Sequence, residues 1–167
     1  MNPECFLGIG APWIHVVTES MGAISERIAE INADSPRVLT RHVRGANCRT
    51  RTAMFDEVSA VLQFPGYFGH NWDAFDECLR DLSELDWGQY QSLAILISGS
   101  AHLLADEPPE ALRTWSEIVQ SAGEHWNTAE TAGNWVRPPR AWHVFLQCAP
   151  TDERDLKARF STAGANV

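Results

Sequence analysis

The chain has 167 residues, 44% of them hydrophobic and 21% charged, which is the balance of one soluble globular domain and excludes a disordered or fibrous chain. Its 13 basic and 22 acidic residues give a formal net charge of −9, which disfavours direct nucleic-acid binding and favours a basic protein partner. No apolar run is long enough for a bilayer, and Met1-Asn2-Pro3-Glu4-Cys5 lacks the basic flank and long apolar stretch of a secretory signal, so a cytoplasmic protein without membrane contact is expected.

Residues 13–18 alternate aromatic and β-branched types, the pattern of a short strand, and Ile24, Ile28 and Ile31 then repeat at helical spacing. Ser35-Pro36 punctuates the end of this strand-helix extension. Residues 38–43 read as the first core strand, closed by Gly45. Met54, Phe55, Val58, Val61 and Leu62 mark a helix over about 50–63. Arg37, Arg41, Arg44, Arg49 and Arg51 form a basic cluster that reads as a solvated face around that strand.

A turn rich in glycine and aromatics follows, Phe64-Pro65-Gly66-Tyr67-Phe68-Gly69-His70-Asn71, and stops the helix. Asn71 is placed to cap the next helix. Trp72, Phe75, Cys78, Leu79 and Leu82 fall on one side of that helix, and Asp73, Asp76, Glu77, Arg80 and Asp81 on the other. Trp87-Gly88 breaks the chain, and residues 92–97 are apolar on both faces, as in a fully buried strand. Beyond the loop Asp106-Glu107-Pro108-Pro109, the positions Ala111, Leu112, Trp115, Ile118 and Val119 describe a further helix, with Pro109 suited to its first turn. Residues 123–140 are polar and broken by glycine and proline, so a long loop carrying Trp126 and Trp135 is expected. Residues 142–146 give the last strand. The tail from residue 151 holds a short helix over 152–160 and is expected to fray beyond it. Strands separated by helices imply an α/β fold with parallel pairing and helices packed over the sheet.

The four cysteines, Cys5, Cys48, Cys78 and Cys148, show no Cys-x-x-Cys spacing, so neither a zinc site nor a disulfide framework is expected. An enzyme would have to draw on Asp73 with Asp76 or Glu77, and on His70 or His102, as acid and base. The chain lacks His-Glu-x-x-His, Gly-x-Ser-x-Gly and a phosphate-cradling glycine loop, and Gly8-Ile9-Gly10-Ala11 lacks the third glycine of a dinucleotide motif. His42 and His143 lie in strands and read as satisfied structural histidines. No catalysis and no cofactor is expected.

The turn Pro65, Tyr67, Phe68, Gly69, Asn71, the pair Asp73-Ala74 and the step Glu77-Cys78-Leu79 together resemble the signature of the barstar family of ribonuclease inhibitors. The resemblance extends more loosely from about Arg37 to Cys148. It implies a three-stranded, mainly parallel sheet within residues 37–150, with 1–36 as an N-terminal strand-helix extension and 151–167 as a tail. It also implies an inhibitor, or immunity protein, that binds a basic ribonuclease or toxin domain one-to-one. Two positions depart from the family's type member: Asp76 stands in place of a tryptophan and Glu77 in place of the key aspartate.

A ribonuclease cleft holds phosphate, so its inhibitor needs carboxylates on a rigid element with aromatic contacts around them. Asp73 and Glu77 are one turn apart, about 6 Å along the axis. Like charges there mildly destabilise the helix. Tyr67 and Phe68 are the stacking candidates, and one of the two, more readily Phe68, is expected to be buried. Gly69 permits close backbone approach, and His70 and Asn71 complete the turn as contacts. The resemblance adds Asp106 and Glu110 at the start of the following helix, with Leu103 or Leu104 as an apolar neighbour. The alternative is a barstar-like interaction module serving another partner through the N-terminal extension and the 123–140 loop.

Overall fold

The apolar run at 92–98 dictates the architecture. The structure is a computed structural model that describes residues 4–33, 37–132 and 135–167. In it, β3 (Ser92–Ser98) is buried at every position but its last. Such a strand needs neighbours on both edges and a covering layer on both faces. It pairs in parallel with β2 (Val38–Arg44) on one edge and with β6 (Ala141–Gln147) on the other. β1 (Ile14–Val17) continues the sheet beyond β6, again in parallel.

The sheet is therefore four-stranded, in the order β1-β6-β3-β2. The α/β class and parallel pairing are as the sequence implies, but the extension's strand is a fourth member of the same sheet. The reason is the open edge of β6: Val144 N–H donates to Trp13 O (2.7 Å) and Cys148 N–H to Val17 O (3.0 Å), pairing groups that a three-stranded sheet would leave bare.

Helices cover both faces. Leu39, Val43, Ile95, Ile97, Val144 and Leu146 point into the larger core. It is closed by α3 (Arg51–Leu62), α4 (Trp72–Asp81), α5 (Pro109–Asn127) and α6 (Glu153–Thr162). On the opposite face Val38, Ala94, Leu96 and Phe145 pack with Phe6, Ile24 and Ile28, which belong to α1 (Glu4–Leu7) and α2 (Met21–Ile31). Ser92 Oγ donates to the Phe6 carbonyl and ties α1 to the sheet. Ser35-Pro36 lies outside the described residues.

Two expectations are corrected. Residues 123–140 are not a loop: α5 continues to Asn127, and β4 (Glu130–Ala132) pairs antiparallel with β5 (Trp135–Arg137). Gly123 sits inside the helix because the Trp13 indole occupies the space a Cβ would take. Trp126 is consequently a core residue, 3% exposed, whose Nε1–H donates to Leu79 O (2.8 Å). Nor does the tail fray. Leu156 and Phe160 are buried, and Gly164 at φ 81° ends α6 with two backbone bonds, Gly164 N–H to Ser161 O and Ala165 N–H to Phe160 O. That is the Schellman pattern, which satisfies carbonyls the helix end leaves open.

In the basic cluster Arg44 pairs with Glu57 and Arg49 with Asp106, while Arg37 and Arg51 are exposed, so it is a solvated face that is paired in part. Glu57 chelates Arg44 at 2.8 and 2.9 Å and accepts from Asn47, holding the Glu57 carboxyl down at about 2. At the β1–β6 edge, His143 Nε2–H donates to Gly8 O (2.8 Å), and its Nδ1 lies 3.1 Å from His15 Nε2. Burial first, then His143, lowers His15 to about 4, and burial lowers His143 as well.

Between pH 6.5 and 4 the unfolded chain binds a proton at His15 that the folded chain refuses. Stability is therefore present above 6.5 and is lost as pH falls through this window. Melting temperature is expected to drop from pH 7 to 5, and His15→Phe to flatten that drop in part, as followed by circular dichroism. Gly123→Ala is expected to destabilise by about 1–3 kcal/mol through overpacking against Trp13, read from urea unfolding.

Candidate functional site

The α3–α4 connection is built from groups that hold one another. Gln63 closes α3 in the left-handed region (φ 55°). The next turn is fixed by Phe68 N–H donating to Pro65 O (2.9 Å). Phe68 is 7% exposed and plugs the core, its ring centroid 5.1 Å from Phe64 and 5.7 Å from Phe55. The adjacent Tyr67 points outward at 73% exposure. The division of the two aromatics is the expected one.

Asn71 caps α4: its Oδ1 accepts from Ala74 N–H (2.9 Å) while its Nδ2 donates to Gly69 O (3.2 Å). A Cβ on Gly69 would come within 2.9 Å of that Nδ2, so the glycine makes room for the cap. His70 is tied back to the scaffold, with Nδ1 3.0 Å from Phe68 O and Nε2 3.2 Å from Asp56 Oδ1. Both polar ends of Asn71 and both nitrogens of His70 thus face the turn and α3. These residues position the loop.

α4 carries its apolar side (Phe75, Cys78, Leu79) into the core. Trp72 packs edge-on against Phe55 at 5.0 Å. Of the four acids on the other side, Asp76 is half-buried and chelated by Arg80 (3.0 and 2.8 Å), which also reaches Ser121 on α5 (2.9 Å). Asp76 is therefore a brace between helices. Asp73 and Glu77 are exposed and join no hydrogen bond or ion pair among the described residues. Asp81 continues their row one turn on, accepting only from the Ser83 hydroxyl (2.9 Å).

Tyr67 lies beside this row. Its phenol is pushed above its ordinary range, first by desolvation and then by the negative field of Asp81, Cys78, Glu77 and Glu84. Asp81 and Glu84 are the members that sequence reasoning left out of the site. Asp81 was legible as the next i+4 position after Glu77, whereas Glu84 lies beyond the helix and only the fold returns it to Tyr67.

The remaining candidates separate from this face. Leu103 and Leu104 are 0% and 1% exposed, so neither offers a side chain to a partner. They are buried because Leu104 N–H donates to Cys48 O (2.7 Å), drawing this segment inward. Asp106 is taken by Arg49 at 2.5 and 2.8 Å, which holds its carboxyl below the usual range. Glu110 is exposed in the first turn of α5. Among the described residues no hydrogen bond or ion pair links Asp106 or Glu110 to the acids of α4.

No group of three or more His, Cys, Asp or Glu among the described residues is placed to hold a metal ion, and no helix is long and apolar enough to cross a membrane. What the face offers is a row of exposed carboxylates with an aromatic at its edge, on a helix anchored by a buried plug and a cap.

The family model described as Barstar (barnase inhibitor) matches residues 38–146, from the first residue of β2 almost to the end of β6. The chain belongs to the barstar family. Members of that family are inhibitors of ribonucleases, not enzymes, and a ribonuclease is the kind of partner that membership implies. A search of the curated proteins finds no match. The barstar match takes in the aromatic turn, α4 and the whole of α5, but not α1, β1, α2 or α6.

Because Asp73, Glu77 and Asp81 repel one another, removing one of the repelling charges should relieve α4. Glu77→Gln is expected to raise stability by about 0.2–0.5 kcal/mol, measured by urea unfolding at low salt. A drop instead would show that Glu77 has a structural role.

Proposed function

We propose that this protein binds and blocks the active site of a basic ribonuclease or ribonuclease-like toxin, one-to-one and non-covalently, in the cytoplasm of the cell that makes the nuclease. The observation that carries this reading is the carboxylate row of Asp73 and Glu77, unpaired among the described residues and continued by Asp81, beside the exposed Tyr67 ring. A surface helix gains nothing locally from adjacent like charges. They become favourable when a cationic cleft is laid over them. The net charge of −9 acts in the same direction by steering a basic partner toward the chain.

In this reading Glu77 and Asp73 occupy the phosphate positions of the cleft, each accepting charge-assisted hydrogen bonds from its arginines and lysines. Tyr67 stacks at the lip as a low-entropy aromatic anchor. Gly69, His70 and Asn71 keep the turn in shape, and Asp76 keeps α4 in register with α5. Asp106 and Glu110 join the contact only where the partner extends beyond α4. The glutamate at 77 reaches one methylene further than the aspartate of the type member, which suits a cleft whose cations are recessed.

The test is inhibition of RNA cleavage across a panel of basic microbial ribonucleases. Wild type is expected to silence one of them at equimolar ratio. Glu77→Ala and Asp73→Ala should each weaken binding by about 2 kcal/mol or more, roughly thirtyfold, without loss of fold; this scale is drawn in part from the barnase–barstar complex itself. The association rate should fall steeply as salt is raised, because the Debye length shrinks from about 10 Å at 0.1 M to about 3 Å at 1 M. Inhibition that survives both alanine variants would remove α4 from the interface.

A further inference from the structure

The edges of an open sheet expose peptide groups that a strand from another molecule can take up, and the two edges of this sheet differ. β1 is four residues long and β2 seven. A very short edge strand offers little to pair with, whereas β2 is long enough to template a neighbour. Ser92 N–H donates to Arg37 O (2.9 Å), which sets the alternation along β2. Leu39, Arg41 and Val43 turn their peptide groups toward β3. Val38, Thr40, His42 and Arg44 turn theirs outward, away from the sheet.

That outer row is largely filled by side chains. At its start the Asn32 amide copies a neighbouring strand: its Oδ1 accepts from Val38 N–H (3.0 Å) and its Nδ2 donates to Val38 O (2.9 Å). Asn32 is fixed for this as the C-cap of α2, its own N–H donating to Ile28 O (3.0 Å). In the middle, Arg41 folds its guanidinium back along the edge, with Nη1 donating to Thr40 O (3.0 Å). At the far end Glu57 of α3 accepts from Arg44 N–H (3.2 Å), and Cys48 Sγ donates to Arg44 O (3.4 Å). Among the described residues, Thr40 N–H and the peptide groups of His42 form no further hydrogen bond.

A strand approaching β2 would have to displace an amide, a guanidinium and a carboxylate before its own peptide groups could bond. The stretch from Thr40 to His42 that stays open is too short to hold it, since even a full-length two-stranded pair is marginal in water. A second copy pairing antiparallel across a two-fold axis would also set the arginines of one β2 against those of the other.

We propose that Asn32, Arg41 and Glu57 are edge guards, which close β2 against pairing with a strand of a second copy and so keep the chain monomeric. The β2 edge and the α4 face share no residue, so the guarding stands apart from the inhibitor reading and is tested without any ribonuclease.

Sedimentation velocity of the full chain at rising concentration decides it, in about 0.3 M salt so that the net repulsion between copies is screened. Wild type is expected to stay at 18.6 kDa. Combining Asn32→Ala, Arg41→Thr and Glu57→Ala should give a mass that climbs toward twice that value as concentration rises. Adding Thr40→Pro removes an outward N–H that a new strand needs and leaves the bonds to β3 in place, so it should restore the monomer. Amide hydrogen exchange on wild type gives a second readout that holds even where the combined variant does not fold. Val38 and Arg44 N–H are expected to exchange about tenfold more slowly than those of Thr40 and His42, although all four lie on the outer row. A folded triple variant that stays monomeric, association that survives Thr40→Pro, a wild type that associates by itself, or equal exchange at the four amides would overturn the proposal.

Discussion

A parallel sheet whose central strands are apolar on both faces cannot leave either face wet, and this constraint organises the molecule. β3 and β6 are buried almost end to end. The family match accounts for three strands of the sheet and for three of the four helices that close one face. The other face, with Val38, Ala94, Leu96 and Phe145, is closed by Phe6, Ile24 and Ile28 from the N-terminal segment. What reads as an appendage is half of the sandwich. The same logic draws in the C-terminal helix, whose Phe160 ring meets Trp115 at 5.9 Å.

On this scaffold the acidic face is held by apolar contacts and a cap. Phe68 and Trp72 grip Phe55 from either side of the turn, and Asn71 holds the first turn of α4. Packing therefore supplies the stability that the row of like charges lowers. Asp76 shows the converse. It sits on the same helix side, yet pairing with Arg80 and through it Ser121 commits it to holding α4 and α5 together. Acids of equal formal charge take different roles according to which neighbours the fold supplies.

Two charged features lie against each other. Exposed carboxylates run along α4, and the Arg140 guanidinium, stacked on Trp87, stands at their far end. Juxtaposed opposite charges of this kind contribute to specificity more than to raw affinity.

The sequence by itself determined the periodic segments, because hydrophobic repeats of 3.6 and 2 residues reflect burial directly, and the aromatic turn with its capping asparagine, because that chemistry is local. It also placed Tyr67 outside and Phe68 inside. Tertiary structure alone decided the rest, since each remaining feature depends on a residue distant in the chain. Gly123 stays helical because Trp13 crosses it, and Leu103 is buried because the next residue bonds Cys48. Asp106 is committed because Arg49 reaches it. The sheet gains its fourth strand because β6 has an edge to pair. A side chain's availability is set by what the fold brings beside it, and no local pattern encodes that.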